Sequence, residues 1–251
     1  VTGLLEGRSA IVTGAGRSIG RAIAEALAAQ GASVIVADAG LSTSGDGADP
    51  ALAREVAAAI GGSTIAFTES VASPGTARQL VDLALRSFDR IDIVVNNAAI
   101  RRDAPVFEAD PADWDAVVRN NLSAPFYLTN AATAIMRRRG TAGRIVNIVS
   151  EAGLSGAIGQ AAYASAKAGL IGLTRATALD LADTTITANA VLPFDGATAP
   201  DLVTALCTPT AQGITGQVLG LRGREVFRVE SPSETLAADL TRMICNAPQA
   251  G

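Results

Sequence analysis

The 251-residue chain is 49% hydrophobic and 18% charged, with a formal net charge of −4. That apolar content suffices for one substantial core and excludes a disordered chain, while the acidic balance argues against nucleic acid, whose phosphates demand clustered cations. The chain has no histidine, so the usual general base is missing, and every serine–histidine or histidine–metal scheme falls with it.

In chain order, Ser9 to Thr13 reads as a buried strand, Gly14-Ala-Gly-Arg-Ser-Ile-Gly20 as a turn, and Arg21 to Gln30 as an Ala-rich helix stopped by Gly31. Ser33 to Ala37 follows as a second strand, closed by Asp38. Strand, glycine turn, helix, strand and terminal acid in this order form the dinucleotide-binding arrangement. Glycines let backbone approach a pyrophosphate, the helix N-terminus offers it free N–H groups, and the acid accepts hydrogen bonds from ribose hydroxyls. The Gly-, Ser- and Asp-rich segment Leu41 to Asp49 reads as a surface loop.

Three later helices begin with a capping side chain followed by proline: Asp49-Pro50, Ser73-Pro74 and Asp110-Pro111. Apolar runs at Ser63 to Phe67, Ile91 to Val95, Arg144 to Val149, Thr187 to Leu192 and Gly216 to Leu221 supply strands. A long helical stretch begins near Trp114, its Arg137-Arg138-Arg139 run reading as a solvated helix end, and a further helix covers Tyr163 to Ala182. Strands alternating with helices predict a single-domain α/β Rossmann fold, a doubly wound, mostly parallel sheet with helices on both faces, over 1–251. Cys207 and Cys245 are too few and too far apart for a disulfide framework or a zinc site, so no metal is expected and a reducing compartment is. No apolar run is long enough to span a bilayer and no secretory leader is visible, so the expected location is cytoplasmic.

Tyr163 and Lys167 stand four residues apart and share one helix face. A free phenol ionises near pH ~10, so acid–base work near neutrality needs a positive neighbour, which Lys167 supplies. The same spacing also occurs in ordinary solvated helix edges, and the surrounding motifs decide between the two.

Those motifs resemble the classical short-chain dehydrogenase/reductase family over nearly the whole chain. Thr13-Gly-Ala-Gly-Arg-Ser-Ile-Gly20 is similar to its TGxxxGxG turn, with Ser18 at the middle glycine, and Asn96-Asn-Ala-Ala99 to its NNAG, with Ala99 for glycine. Ser150 precedes Tyr163 at the family's spacing, and Asn121 sits where its structural and proton-relay asparagine lies. The resemblance implies a catalytic tetrad of Asn121, Ser150, Tyr163 and Lys167, with Asn121 also bridging backbone groups; a helix or turn cap is the lesser reading of Ser150. It implies cofactor contacts from Gly14, Arg17, Ser18, Ile19, Gly20, Asp38, Glu69, Ser70, Val71, Asn97, Ala98, Ala99, Pro193 and Thr198, joined by Tyr163 and Lys167. Asn96 and Asn97 read as strand-end scaffold.

The resemblance also implies hydride transfer between a nicotinamide dinucleotide and a small-molecule secondary alcohol or ketone, and a homotetramer or homodimer. A nucleotide-binding sensor or assembly subunit without turnover is the alternative on the same fold. Arg101-Arg-Asp103, Pro193-Phe194 and Gly216 to Phe227 more loosely resemble (3R)-hydroxyacyl-CoA dehydrogenase units of multifunctional enzymes, which points to 3-hydroxyacyl or 3-oxoacyl thioesters. The substrate lid expected near 194–214 is then short or incompletely represented in the chain. NAD is expected over NADP, because a 2′-phosphate would meet the Asp38 carboxylate; Arg17 is the contrary signal.

Overall fold

Single-residue alternation inside the strands decides the architecture. In β1 (Ser9–Thr13), Ala10 and Val12 enter one apolar cluster and Ile11 another, and β2 (Ser33–Ala37) and β4 (Ile93–Asn96) divide the same way. Strands apolar on both faces must be covered on both. The computed structural model describes residues 3–193, 198–222 and 225–229. Helices α1 (Ser18–Ala29) and α2 (Ala51–Ile60) cover one face, and α3 (Pro74–Phe88) covers the other. Each fully buried Ile, Leu or Val of these clusters contributes ~1.5–3 kcal/mol.

The remaining elements continue the winding. β3 (Thr64–Phe67) lies outside β2, and α4 (Pro111–Val118) runs through a π-turn at Arg119–Ser123 into α5 (Ala124–Arg139), which packs beside α3. Then come β5 (Arg144–Ile148), the single turn α6 (Ala152–Ser155), α7 (Ala161–Asp180), β6 (Thr187–Pro193), α8 (Ala199–Cys207), β7 (Val218–Arg222) and β8 (Glu225–Arg228). The sheet order is β3-β2-β1-β4-β5-β6-β7-β8, parallel except for the β7–β8 pair. β1 and β4 are neighbours although the chain winds outward from them in opposite directions. Such a switch point leaves a crevice at the carboxyl ends of the strands, where ligands bind in open α/β sheets.

The proline starts hold. Ser73 Oγ accepts from Thr76 N–H at 3.1 Å, Asp110 Oδ1 from Ala112 N–H at 2.8 Å, and Asp49 Oδ1 from Ala51 N–H at 3.0 Å. Most element ends fall within two or three residues of expectation, and three details stand out. Helix α1 begins at Ser18, inside the segment read as turn, because the glycine loop closes within four residues of β1. The helical stretch placed near Trp114 begins at Pro111, as Asp110-Pro111 signals, but is interrupted by the π-turn. β8 was not anticipated: its residues are mostly exposed and only their antiparallel register with β7 makes them a strand.

Of the segment 194–214 expected as a lid, 194–197 lie outside the described residues. The described part carries α8, whose Leu202, Val203, Leu206 and Cys207 are buried in the same cluster as α1. It belongs to the core.

Candidate active site

The switch-point crevice is built by two strand ends tied together. Thr13 Oγ1 donates to Val95 O and accepts from the backbone N–H of Asn97 and Ala98, at 3.0 and 3.1 Å. Asn97 Nδ2 returns hydrogen bonds to Thr13 O and Gly14 O. The Asn97 side chain is therefore spent on the glycine turn, and only its place at the crevice faces a ligand. Gly14, at φ +64°, leaves no room for a side chain, since a Cβ there would stand 2.8 Å from Ala98 Cα. At Gly20 a Cβ would come 2.1 Å from Gly14 O, so glycine is what allows α1 to start directly beneath the turn.

Behind the strand end, Asn96 Nδ2 donates to Thr129 Oγ1 and Asn147 Oδ1, Asn147 Nδ2 to Thr174 Oγ1, and Thr174 Oγ1 to Leu170 O. This buried ladder links α5, β4, β5 and α7 with each named group paired, which fixes α7 and the residues it carries against the sheet.

Ser18 shows why glycine is usual at its position. Its φ is +49°, in the left-handed region that side chains disfavour. Ala99 is exposed, so its methyl group is accommodated without crowding.

The crevice measures about 280 Å³ and is lined by Gly14, Arg17, Ser18, Ile19, Gly20, Asp38, Glu69, Ser70, Val71, Asn97, Ala98 and Ala99 together. Leu41, Ser42 and Thr43 line it as well, although their segment reads in sequence only as a surface loop. Asp38 is held in place from both sides: its carboxylate accepts from Gly16 N–H and Gly40 N–H, each at 2.7 Å. Arg17 is exposed at the N-cap of α1. These groups fit a dinucleotide: the N-terminal N–H groups of α1, with no acidic residue in its first turn, suit a pyrophosphate, and the fixed carboxylate beside the glycine turn suits ribose hydroxyls.

Tyr163 lines an adjoining cavity with Thr43, Ala99, Ile100, Arg101 and Asp103. Thr43, Ala99 and Ile100 belong to both cavities, which makes them neighbours. Lys167 is 2% exposed; its Nζ donates to Ile148 O at 2.7 Å and lies 5.7 Å from the centre of the Tyr163 ring. Burial lowers its pKa from 10.5 to about 8, so the ammonium persists at neutrality. The Tyr163 phenol is raised above its ordinary value, chiefly by burial, while the Ser150 hydroxyl and the Arg101 charge pull it down and Asp103 raises it. The expectation that Lys167 depresses the phenol is corrected here: desolvation outweighs the favourable neighbours, and those are Ser150 and Arg101.

Ser150 Oγ accepts from Ala152 N–H at 3.3 Å, so it caps the turn into α6, and its hydroxyl also acts on the Tyr163 phenol. Asn121 is fully buried: its Oδ1 accepts from Ile100 N–H and its Nδ2 donates to Ile100 O, both at 2.8 Å. This clamp joins the π-turn to the chain leaving β4, and π-turns frequently mark functional sites. Pro193 ends β6, and Thr198 precedes α8 with its Oγ1 3.5 Å from Leu221 O. Neither of these two lines the crevice, and nor do Tyr163 and Lys167.

Comparison with known proteins agrees with this geometry. Residues 8–207 match the family described as short chain dehydrogenase. A 3-oxoacyl-[acyl-carrier-protein] reductase of Synechocystis is 44% identical over 189 residues, covering 75% of this chain and 74% of its own. The 3-oxoacyl-[acyl-carrier-protein] reductase FabG of Salmonella typhimurium is 37% identical over 235 residues, 93% and 91% of the two chains. A D-beta-hydroxybutyrate dehydrogenase of Cupriavidus necator is 37% identical over 191 residues, 76% and 71% of the two. The crystal structure of a short chain dehydrogenase from Mycobacterium avium matches with a TM-score of 0.85 at 31% identity, covering 99% of this chain and 98% of that one. The chain belongs to the short-chain dehydrogenase family and is an oxidoreductase of CH–OH groups that binds a nicotinamide cofactor.

Proposed function

We propose that the protein moves a hydride between NAD(H) and a secondary alcohol or its ketone among 3-hydroxyacyl and 3-oxoacyl compounds, free or as thioesters. The observation that carries this reading is a half-buried phenol beside the dinucleotide crevice, with the Lys167 ammonium 5.7 Å from its ring and Ser150 acting on it. Among the relatives, two are named for 3-oxoacyl-carrier reduction and one for D-beta-hydroxybutyrate.

A bound nicotinamide gives or takes the hydride. In reduction, the protonated Tyr163 donates its proton to the ketone oxygen, which the Ser150 hydroxyl also holds. In oxidation the phenolate takes the hydroxyl proton. A phenol raised by burial is neutral at pH 7, so the resting site is set to donate, and oxidation gains as pH rises. Lys167 keeps a positive charge beneath the phenol and within reach of a nicotinamide ribose. Asn121 holds the π-turn against Ile100 and leaves one N–H and one lone pair for an ordered water.

NAD is the assigned cofactor because the two backbone amides on Asp38 keep its carboxylate from turning away, and a 2′-phosphate would be pressed against a fixed anion. Residues 1–251 act as one catalytic domain. A homotetramer or homodimer is supported by exposed apolar residues on three helices, Trp114 on α4, Phe126 on α5 and Leu179 on α7. A cytoplasmic location is in keeping with dependence on a nicotinamide dinucleotide.

Screening 3-hydroxy acids, their thioesters and simple secondary alcohols by nicotinamide absorbance tests the function. Turnover of any 3-hydroxyacyl or 3-oxoacyl compound supports it. Tight cofactor binding with no turnover across the panel would favour a sensor on the same fold.

A further inference from the structure

We infer that Arg101 recognises a carboxylate on the substrate close to the reacting carbon, so that the chain selects short 3-oxo and 3-hydroxy acids with a free carboxylate. The identity of the reaction rests on the reading above, while the anion site stands on its own residues.

Two neighbouring arginines are employed differently. The Arg102 guanidinium is used on all three nitrogens: Nε donates to Ser44 O at 2.8 Å, Nη1 to Asp113 Oδ1 at 2.7 Å and Nη2 to Asp46 Oδ1 at 3.3 Å. It fastens the Leu41–Asp49 loop and the start of α4 to the chain leaving β4. Arg101 lines the cavity that holds Tyr163. Among the described residues its guanidinium makes one ionic contact, Nε to Asp103 Oδ2 at 3.3 Å, and its side chain is 54% exposed. The paired terminal nitrogens, the fork that grips carboxylates in two parallel hydrogen bonds, are left open.

The residue is held for this task. Arg101 N–H donates to Thr43 O at 2.7 Å, which fixes the backbone. Asp103 takes the Nε edge and is itself held by Gln160 Nε2 at 3.3 Å, just before α7. The other members of the cavity, Thr43, Ala99 and Ile100, are neutral, so Asp103 is its only carboxylate and is already paired. The Arg101 charge acts on the Tyr163 phenol, which places the two groups within electrostatic reach.

That nearness selects among anions. In a carrier thioester the phosphate sits at the far end of a long arm from the 3-carbon, whereas in a free 3-oxo acid the carboxylate is two bonds from it. One cavity of six lining residues containing both the proton-transfer group and the guanidinium fits the second case. A half-exposed bidentate contact of this kind is worth about tenfold in affinity, ~1.4 kcal/mol.

The test is calorimetric binding of acetoacetate and of its uncharged methyl ester to wild type, Arg101→Leu and Arg101→Lys, each saturated with oxidised NAD. Oxidised NAD cannot reduce a ketone, so binding is read without turnover. Wild type is expected to prefer acetoacetate by about tenfold or more. Arg101→Leu should abolish that preference by weakening acetoacetate, and Arg101→Lys should restore part of it. Equal affinity of wild type for acid and ester, or parallel weakening of both by Arg101→Leu, would overturn the assignment. Hydride transfer from NADH to acetoacetate, followed separately by absorbance, keeps the two readings apart. Selectivity without turnover refutes the reduction of acetoacetate and leaves the anion site standing; turnover without selectivity refutes the role of Arg101.

Discussion

Replacing Lys167 by Met should stabilise the cofactor-free protein at neutral pH. Lys167 is 2% exposed, forms no ion pair among the described residues, and its pKa falls from 10.5 to about 8 through burial alone. At ~1.4 kcal/mol for each pH unit, holding the charged form in the fold costs ~3 kcal/mol. Methionine keeps an unbranched stem in the same space and removes that cost, but takes the donor from Ile148 O, a loss of ~1 kcal/mol. The net expectation at pH 7 is a gain of ~2 kcal/mol.

The sign of the pH dependence follows from the two pKa values. Below about 8 both folded and unfolded chains hold the proton, and wild type carries the full cost. Between about 8 and 10.5 only the unfolded chain holds it, so wild-type stability rises with pH. Above 10.5 the cost is gone and the methionine variant should be the less stable by ~1 kcal/mol. Urea midpoints of the two proteins at pH 7 and pH 10 measure this, and the difference between them cancels groups that titrate in both. A variant less stable than wild type at pH 7, or an advantage that does not shrink by pH 10, would refute the reasoning. An ammonium that destabilises its own fold is what a residue retained for work on a ligand looks like.

Other outcomes follow from the same geometry. Ser18→Gly releases the φ +49° strain and should raise stability by about 0.5–1 kcal/mol, read as a higher melting temperature; a lower one would contradict the strain argument. Asp38→Ala should narrow an NAD-over-NADP preference in kcat/KM of about tenfold or more, and equal use of both cofactors by wild type would shift the choice to Arg17. The oxidation rate should climb from pH 6 toward pH 8 as the phenolate fraction of Tyr163 grows, with reduction nearly flat because the raised phenol stays protonated throughout. An oxidation rate flat over that range, measured as initial velocities, would remove Tyr163 as the titrating group.

Much of the fold and the crevice could be read directly from the chain, because they depend on local pattern. Proline after Ser73 or Asp110 announces a helix start without knowledge of the rest. Glycines between an apolar run and an Ala-rich helix place the crevice at the end of β1, and Asp38 at the end of β2 lands beside it by parallel register. What escaped depends on partners distant in sequence. The π-turn follows from Asn121 clamping Ile100, 21 residues away. β8 exists through its pairing with β7, and its exposed residues carry no clear apolar alternation. Leu41 to Thr43 read as loop because they are loop; that they wall the crevice is a consequence of Arg102 tying that loop down. The raised Tyr163 phenol was missed for the same reason: spacing along α7 puts Lys167 on the same face, whereas the burial that dominates comes from the whole cavity.

The central claim is that Tyr163 transfers the proton in a nicotinamide-dependent oxidation or reduction. It is tested most directly by Tyr163→Phe, which removes the hydroxyl and keeps the ring, with cofactor affinity and turnover measured on the same preparation. Loss of an acid–base group of this kind lowers rate by roughly 10²–10⁴-fold. The account predicts a fall of that size with NAD(H) bound about as tightly as in wild type. Turnover near the wild-type rate with a good 3-hydroxyacyl substrate would contradict it.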